Sequence, residues 1–146
     1  MDIGSHRIDL LLDLCGPAEV RTALMTTGAN WDTEDCATVV LRFQSGVHGV
    51  LQCVFCTRAK ADELRIVGSK GKLAADPLND GRLKVEVGNE TWFESHKPAG
   101  NLHAPLISDF VAAIRENRPP RISGEEGRRT NEIIDLAYGI AQSRNR

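Results

Sequence analysis

No uncharged apolar run in the 146 residues approaches the ~20 needed to cross a bilayer. A basic stretch followed by an apolar one is also missing at the start, so no secretory signal is expected. Basic residues are not clustered. Eighteen Lys and Arg are set against 20 Asp and Glu, for a net charge of −2, which argues against a nucleic-acid footprint. Cysteine is sparse, with four residues at 15, 36, 53 and 56. A chain long enough for a real core does not need disulfides, so the thiols are expected reduced and the protein cytoplasmic. Cys53 and Cys56 form the lone CxxC, within the strand-like "GVLQCVFCT". Residues i and i+3 of a strand face opposite ways, and no second pair completes a tetrahedral site, so no metal is expected. No G-x-G-x-x-G follows a strand. The run Gly68-Ser-Lys-Gly71-Lys72 has the wrong spacing for a phosphate loop and precedes a strand, so it reads as a hairpin turn.

What is present is a helix, then strands, then two helices. Residues 3–15 carry Ile3, Ile8, Leu10, Leu11, Leu12 and Leu14, and Gly16-Pro17 stops the helix. Strand-like runs follow at 19–27, 36–43, 47–57, 62–68, 71–76, 82–87 and 90–96. Their short connections, through Gln44-Ser45-Gly46, Ser69-Lys70 and Gly88-Asn89, imply antiparallel pairing, because parallel neighbours need long crossovers. Leu106, Ile107, Phe110, Val111 and Ile114 repeat at helical spacing over 105–117. Ser123 with Glu126 fits a capping box for a last helix that would bury Ile133, Ile134, Leu136, Ala137, Ile140 and Ala141. The order predicts an α+β fold: an open, mostly antiparallel sheet of six or seven strands with helices packed on one face. A single domain over 1–146 is expected, without repeats or linkers.

Candidate chemistry is concentrated at the start, in "MDIGSHRIDLLLDLCG". Asp2 and His6 are spaced i, i+4 and share a face if the helix has begun by Asp2. Imidazole exchanges a proton near neutral pH, and a nearby carboxylate can fix its tautomer. Asp9 could face His6 from one turn later. By spacing alone, a helix cap and a surface histidine is the favoured reading.

The wider sequence resembles the C-terminal domain of the Gfo/Idh/MocA oxidoreductases, the glucose-fructose oxidoreductase and inositol dehydrogenase group. Asp2, Gly4, His6 and Asp9 match that family's D-x-G-x-H-x-x-D motif, which precedes an apolar helix and a glycine. "CATVVLRFQSGVHGVLQCVF" looks like its paired strands, "DELRIVGSKGKL" like its hairpin, and "LISDFVAAIRENRPPRISGEEGRRTNEIIDLAY" like its closing helices. The resemblance covers nearly the whole chain.

The resemblance implies a glyceraldehyde-3-phosphate dehydrogenase-like C-terminal fold. It implies substrate-binding and oligomerisation roles within an NAD(P)-dependent oxidoreductase acting on a sugar, polyol or related hydroxy compound. His6 would be the catalytic acid/base and Asp2 its catalytic partner. NAD or NADP would be held by a preceding Rossmann domain that is absent here, along with that family's Glu-Lys-Pro segment. No cofactor is therefore expected for this chain alone, and the chain alone is expected to be inactive. Partners would be the small-molecule substrate and further copies, through the exposed sheet face. Substrate-side candidates are Asp9 within the motif, and, because loop positions at element ends often line sites, Arg58 and Lys60 after the long strand and Asn101 and His103 before the penultimate helix. For the last four, a solvated surface side chain is the favoured reading. The alternative for the whole chain is a stand-alone, non-catalytic binding or dimerisation module derived from that family.

Overall fold

The computed structural model describes residues 2–28, 32–59 and 61–144. Its contacts divide the chain into two compact units, Met1–Thr57 with Ile122–Arg146, and Arg58–Arg121. The first unit holds helix α1 (Asp2–Cys15), strands β1 (Ala18–Thr26), β2 (Cys36–Phe43) and β3 (His48–Val54), and a helix from the end of the chain, α3 (Gly124–Arg144). The second holds β4 (Leu64–Gly68), β5 (Gly71–Ala75), a turn of 3-10 helix (Leu78–Asp80), β6 (Arg82–Val87), β7 (Glu90–Ser95) and α2 (Ala104–Glu116).

The first unit is a three-stranded antiparallel sheet in the order β1-β2-β3, with α1 and α3 packed against it. Alternation along β2 sends Ala37, Val39, Leu41 and Phe43 into the core and leaves the intervening residues more open. Register then aligns the same face on the neighbours: Ala23 lies opposite Val39, Val39 opposite Leu51, and Ala37 opposite Cys53. Ile8 from α1 and Ile133, Ala137 and Ala141 from α3 complete this cluster. Full burial of side chains such as Ile8, Leu41 and Phe43 contributes about 1.5–3 kcal/mol each.

The punctuation in the sequence works as expected. Gly16 takes a φ of +86° and its N–H donates to the Leu12 carbonyl at 2.9 Å, closing α1. Ser123 Oγ accepts from the Glu126 N–H at 3.3 Å, capping α3. Other expectations need correction. The strand expected over 47–57 ends at Val54, so Cys56 lies beyond it and is exposed while Cys53 is buried. All four cysteines are free thiols. Leu136 is 55% exposed rather than buried, because it sits on the flank of the narrow stripe Thr130, Ile133, Ala137, Ala141 that meets the sheet.

The second unit is a four-stranded antiparallel meander, β4-β5-β6-β7, with hairpins through Ser69-Lys70 and Gly88-Asn89. Among the described residues seven strands, within the expected six or seven, pair antiparallel, hydrogen-bonded as sheets of three and four strands. Val85 is the one buried residue among these four strands. Lys84, Glu86 and Lys72 share one face of the meander. Lys72 Nζ and Lys84 Nζ reach the two Glu86 oxygens at 3.0 and 3.3 Å. The Lys72 hydrogen bond, helped by Lys84, holds the Glu86 carboxyl below its usual pKa. On the same face the Arg82 guanidinium stacks over Phe93, 4.2 Å from the ring centre. Helix α2 forms at the expected place, yet Ala113 is its one buried residue and the stripe of Leu106, Ile107, Phe110, Val111 and Ile114 is exposed.

Candidate active site

Helix α1 determines where the N-terminal motif points. Gly4 and Ile8, one turn apart, are buried, and Leu11, Leu12 and Cys15 extend that stripe over the core. A residue two places before Ile8 falls on the opposite side of a 3.6-residue helix. His6 is accordingly exposed. The helix has begun by Asp2, so Asp2 and His6 lie on the same helix one turn apart; the Asp2 side chain lies outside the described residues. The geometry offers an imidazole on a rigid, core-anchored helix, with its ring open to an incoming molecule.

Asp9 is also on the outer side of α1, but its carboxylate is engaged. Thr130 Oγ1 on α3 donates to Asp9 Oδ1 at 3.2 Å, and Thr130 itself is buried. This partner sets the expected substrate contact at Asp9 beside a second role, tying two helices together.

The other expected substrate-side residues belong to the second unit. Arg58 is exposed in the bend after β3. Lys60 lies outside the described residues. Asn101 and His103 are both exposed, and both serve the start of α2. Asn101 Oδ1 accepts from the His103 N–H at 2.9 Å, and the His103 carbonyl accepts from the Ile107 N–H at 3.0 Å. This is an Asx turn leading into a helix. The structure therefore groups Asp2, His6 and Asp9 on α1, and places Arg58, Asn101 and His103 in the second unit. Among the described residues no three His, Cys, Asp or Glu side chains could share a metal ion.

Four polar residues were not singled out from the sequence. Tyr138 on α3 donates its hydroxyl to Glu34, which lies just before β2. Burial, reinforced by that carboxylate, pushes the Tyr138 pKa up to about 12. Asp35 is buried and its Oδ1 accepts from the Gly28 N–H at 2.7 Å, pinning the connection between β1 and β2. Partners 104 residues apart carry no local signal. Thr130 did carry one, as a polar residue in phase with the buried stripe of α3.

A nicotinamide cofactor needs a phosphate cradle, and the glycine-rich candidate does not provide one. Gly68 and Gly71 are paired to each other across the β4–β5 hairpin. The space beside Gly71 is filled by the Glu86 backbone. The Gly68–Gly71 run is thus a hairpin turn and not a dinucleotide cradle.

Residues 1–74 match the model of the GFO/IDH/MocA C-terminal domain. The chain is 26% identical to the D-apiose dehydrogenase of Paraburkholderia graminis, over 94% of this chain and 41% of that protein. Among solved structures it is similar to the UDP-N-acetylglucosamine 3-dehydrogenase GnnA from Acidithiobacillus ferrooxidans. The TM-score is 0.82 at 26% identity, covering 97% of this chain and 47% of that one. It is also similar to the WlbA dehydrogenase from Chromobacterium violaceum, solved with NADH and UDP-GlcNAcA. There the TM-score is 0.76 at 26% identity, covering 98% and 43% of the two chains. The chain spans less than half the length of each of these proteins. Motif, fold and matched segment agree: the chain belongs to the GFO/IDH/MocA C-terminal domain family.

Proposed function

We propose that this chain is the substrate-side domain of an NAD(P)-dependent oxidoreductase acting on a sugar, polyol or related hydroxy compound. The two units together form that domain. The carrying observation is His6, exposed on a helix whose other face is locked into the core, inside the segment that the family model matches. Removing hydride from a carbinol carbon requires the hydroxyl proton to leave, and an imidazole is suited to accept it near neutral pH. His6 is the acid/base, and Asp2, one turn away, orients it. Arg58, Lys60, Asn101 and His103 are candidates for contacts to the substrate. A nicotinamide cofactor held on a nucleotide-binding half would supply the hydride acceptor for that step.

The four free thiols are consistent with a reducing, cytoplasmic setting. The meander face bearing Lys72, Lys84, Glu86 and the Arg82–Phe93 stack carries charges of both signs, which suits self-association of the complete enzyme.

The test is made in the polypeptide that joins this domain to its nucleotide-binding half. His6→Ala is expected to lower kcat by about 10²-fold or more, with NADH affinity within about twofold. Unchanged turnover removes His6 from the acid/base role. A natural gene product of only these 146 residues that leaves NADH fluorescence unaltered would instead favour a non-catalytic binding or dimerisation module.

A further inference from the structure

We infer that Thr130 and Asp9 are positioning residues that set the rotation of α1 and hence the place of His6, which rests on the acid/base reading above. The apolar contacts of α1, through Ile8, Leu11 and Leu12, hold the helix down on the sheet. Such contacts are not directional. They resist lifting more than they resist turning about the helix axis. The bond from Thr130 Oγ1 to Asp9 Oδ1 at 3.2 Å is directional and comes from a different helix.

His6 and Asp9 are three residues apart, so they project from neighbouring positions on one side of α1. Side chains reach a helix surface about 5–6 Å from the axis, so a rotation of roughly 10° moves that surface by about 1 Å. Such a turn would displace the imidazole and stretch the Thr130–Asp9 bond together. Misplacement by about 1 Å can cost about 10²-fold in rate. Thr130 is 6% exposed. If α1 turned away, its hydroxyl would be left buried without its partner, which is unfavourable. The bond thus penalises the motion that would spoil the geometry of His6. It also accounts for a polar residue in phase with the buried stripe of α3.

The experiment compares Thr130→Val, Thr130→Ser, Asp9→Asn and His6→Ala in the complete enzyme, with amide exchange read on the 146-residue chain. Thr130→Val keeps the shape and removes the donor. It is expected to lower kcat about tenfold, with KM within twofold. Exchange should rise over residues 6–12, the first amides of α1 with a carbonyl one turn back, with β1–β3 unchanged. Thr130→Ser restores the hydroxyl and should restore kcat, and Asp9→Asn, which keeps an acceptor but loses the charge, should lower kcat by less than Thr130→Val does, with KM unmoved. Thr130→Val with normal kcat overturns the inference, as does an exchange increase spread evenly over the first unit. A rise in KM alone for Asp9→Asn also overturns it, because that marks Asp9 as a substrate ligand. A silent His6→Ala takes down the acid/base reading and the catalytic half of this inference with it, while local exchange still decides the anchor.

Discussion

Tyr138 near the end of the chain donates its hydroxyl to Glu34, two residues before β2, joining α3 to the connection that leads into the central strand. Hydrogen bonds to a charged acceptor contribute about 1.5–3 kcal/mol, less where water reaches the pair. Tyr138 is partly exposed, so Tyr138→Phe is expected to cost about 1 kcal/mol at pH 7, read from urea unfolding. The pH dependence has a definite sign. The folded pKa, about 12, lies above the ~10 of an unfolded tyrosine. The protonated phenol is therefore favoured by folding, and its stabilisation is complete below about pH 10 and lost as the pH rises toward 12. Parent and Tyr138→Phe unfolding curves should converge across that window. A constant gap would assign the loss to packing rather than to the hydroxyl.

Gly71 faces the Glu86 carbonyl so closely that a Cβ would collide with backbone, which cannot swing aside as a side chain can. Gly71→Ala should therefore push β5 and β6 apart, and overpacking of this kind costs about 1–3 kcal/mol. Gly68, its partner across the hairpin, has only the Gly71 carbonyl oxygen within reach, at 3.8 Å from an added Cβ. Gly68→Ala is expected to change stability by less than about 1 kcal/mol, the ordinary cost range of a glycine exchange. Thermal unfolding of the two variants checks this. Equal effects would mean that the close approach at Gly71 relaxes freely.

These glycines mark what was legible beforehand. Gly16, Gly88-Asn89 and Ser69-Lys70 fix turns through local backbone preference, so element order and hairpins could be read directly. Strict alternation in "RLKVEV" did the same for β6, while β2 was read from its strand-like run of apolar residues. Periodicity says less about how wide a helix's covered stripe is. Leu136 is apolar and in approximate phase, yet it lies outside the strip that α3 presses on the sheet. Helix α2 shows the same limit, with its apolar stripe in place and uncovered. Of the candidate site, the placing of Asp2 and His6 on one helix followed from their i, i+4 spacing. The engagement of Asp9 by Thr130 and of Glu34 by Tyr138 did not, because partners 121 and 104 residues apart meet only in the folded chain.

Thr22 offers a prediction with the opposite sign. It follows an irregularity in the β1–β2 register between Val20 and Thr22, after which it pairs with Val40. Its hydroxyl oxygen is buried and has no hydrogen-bond partner among the described residues. A buried hydroxyl without a partner has lost its hydration for no return, a penalty of about 1–3 kcal/mol. Thr22→Val keeps the β-branched shape that suits a strand and removes that oxygen. The variant is expected to be more stable by about 1 kcal/mol, seen as a higher urea midpoint at unchanged m. Thr22→Ala removes the hydroxyl and a methyl together and should forfeit most of that gain. A Thr22→Val protein less stable than the parent would show that the hydroxyl is bonded in solution, and that the bulge beside it is held by that bond.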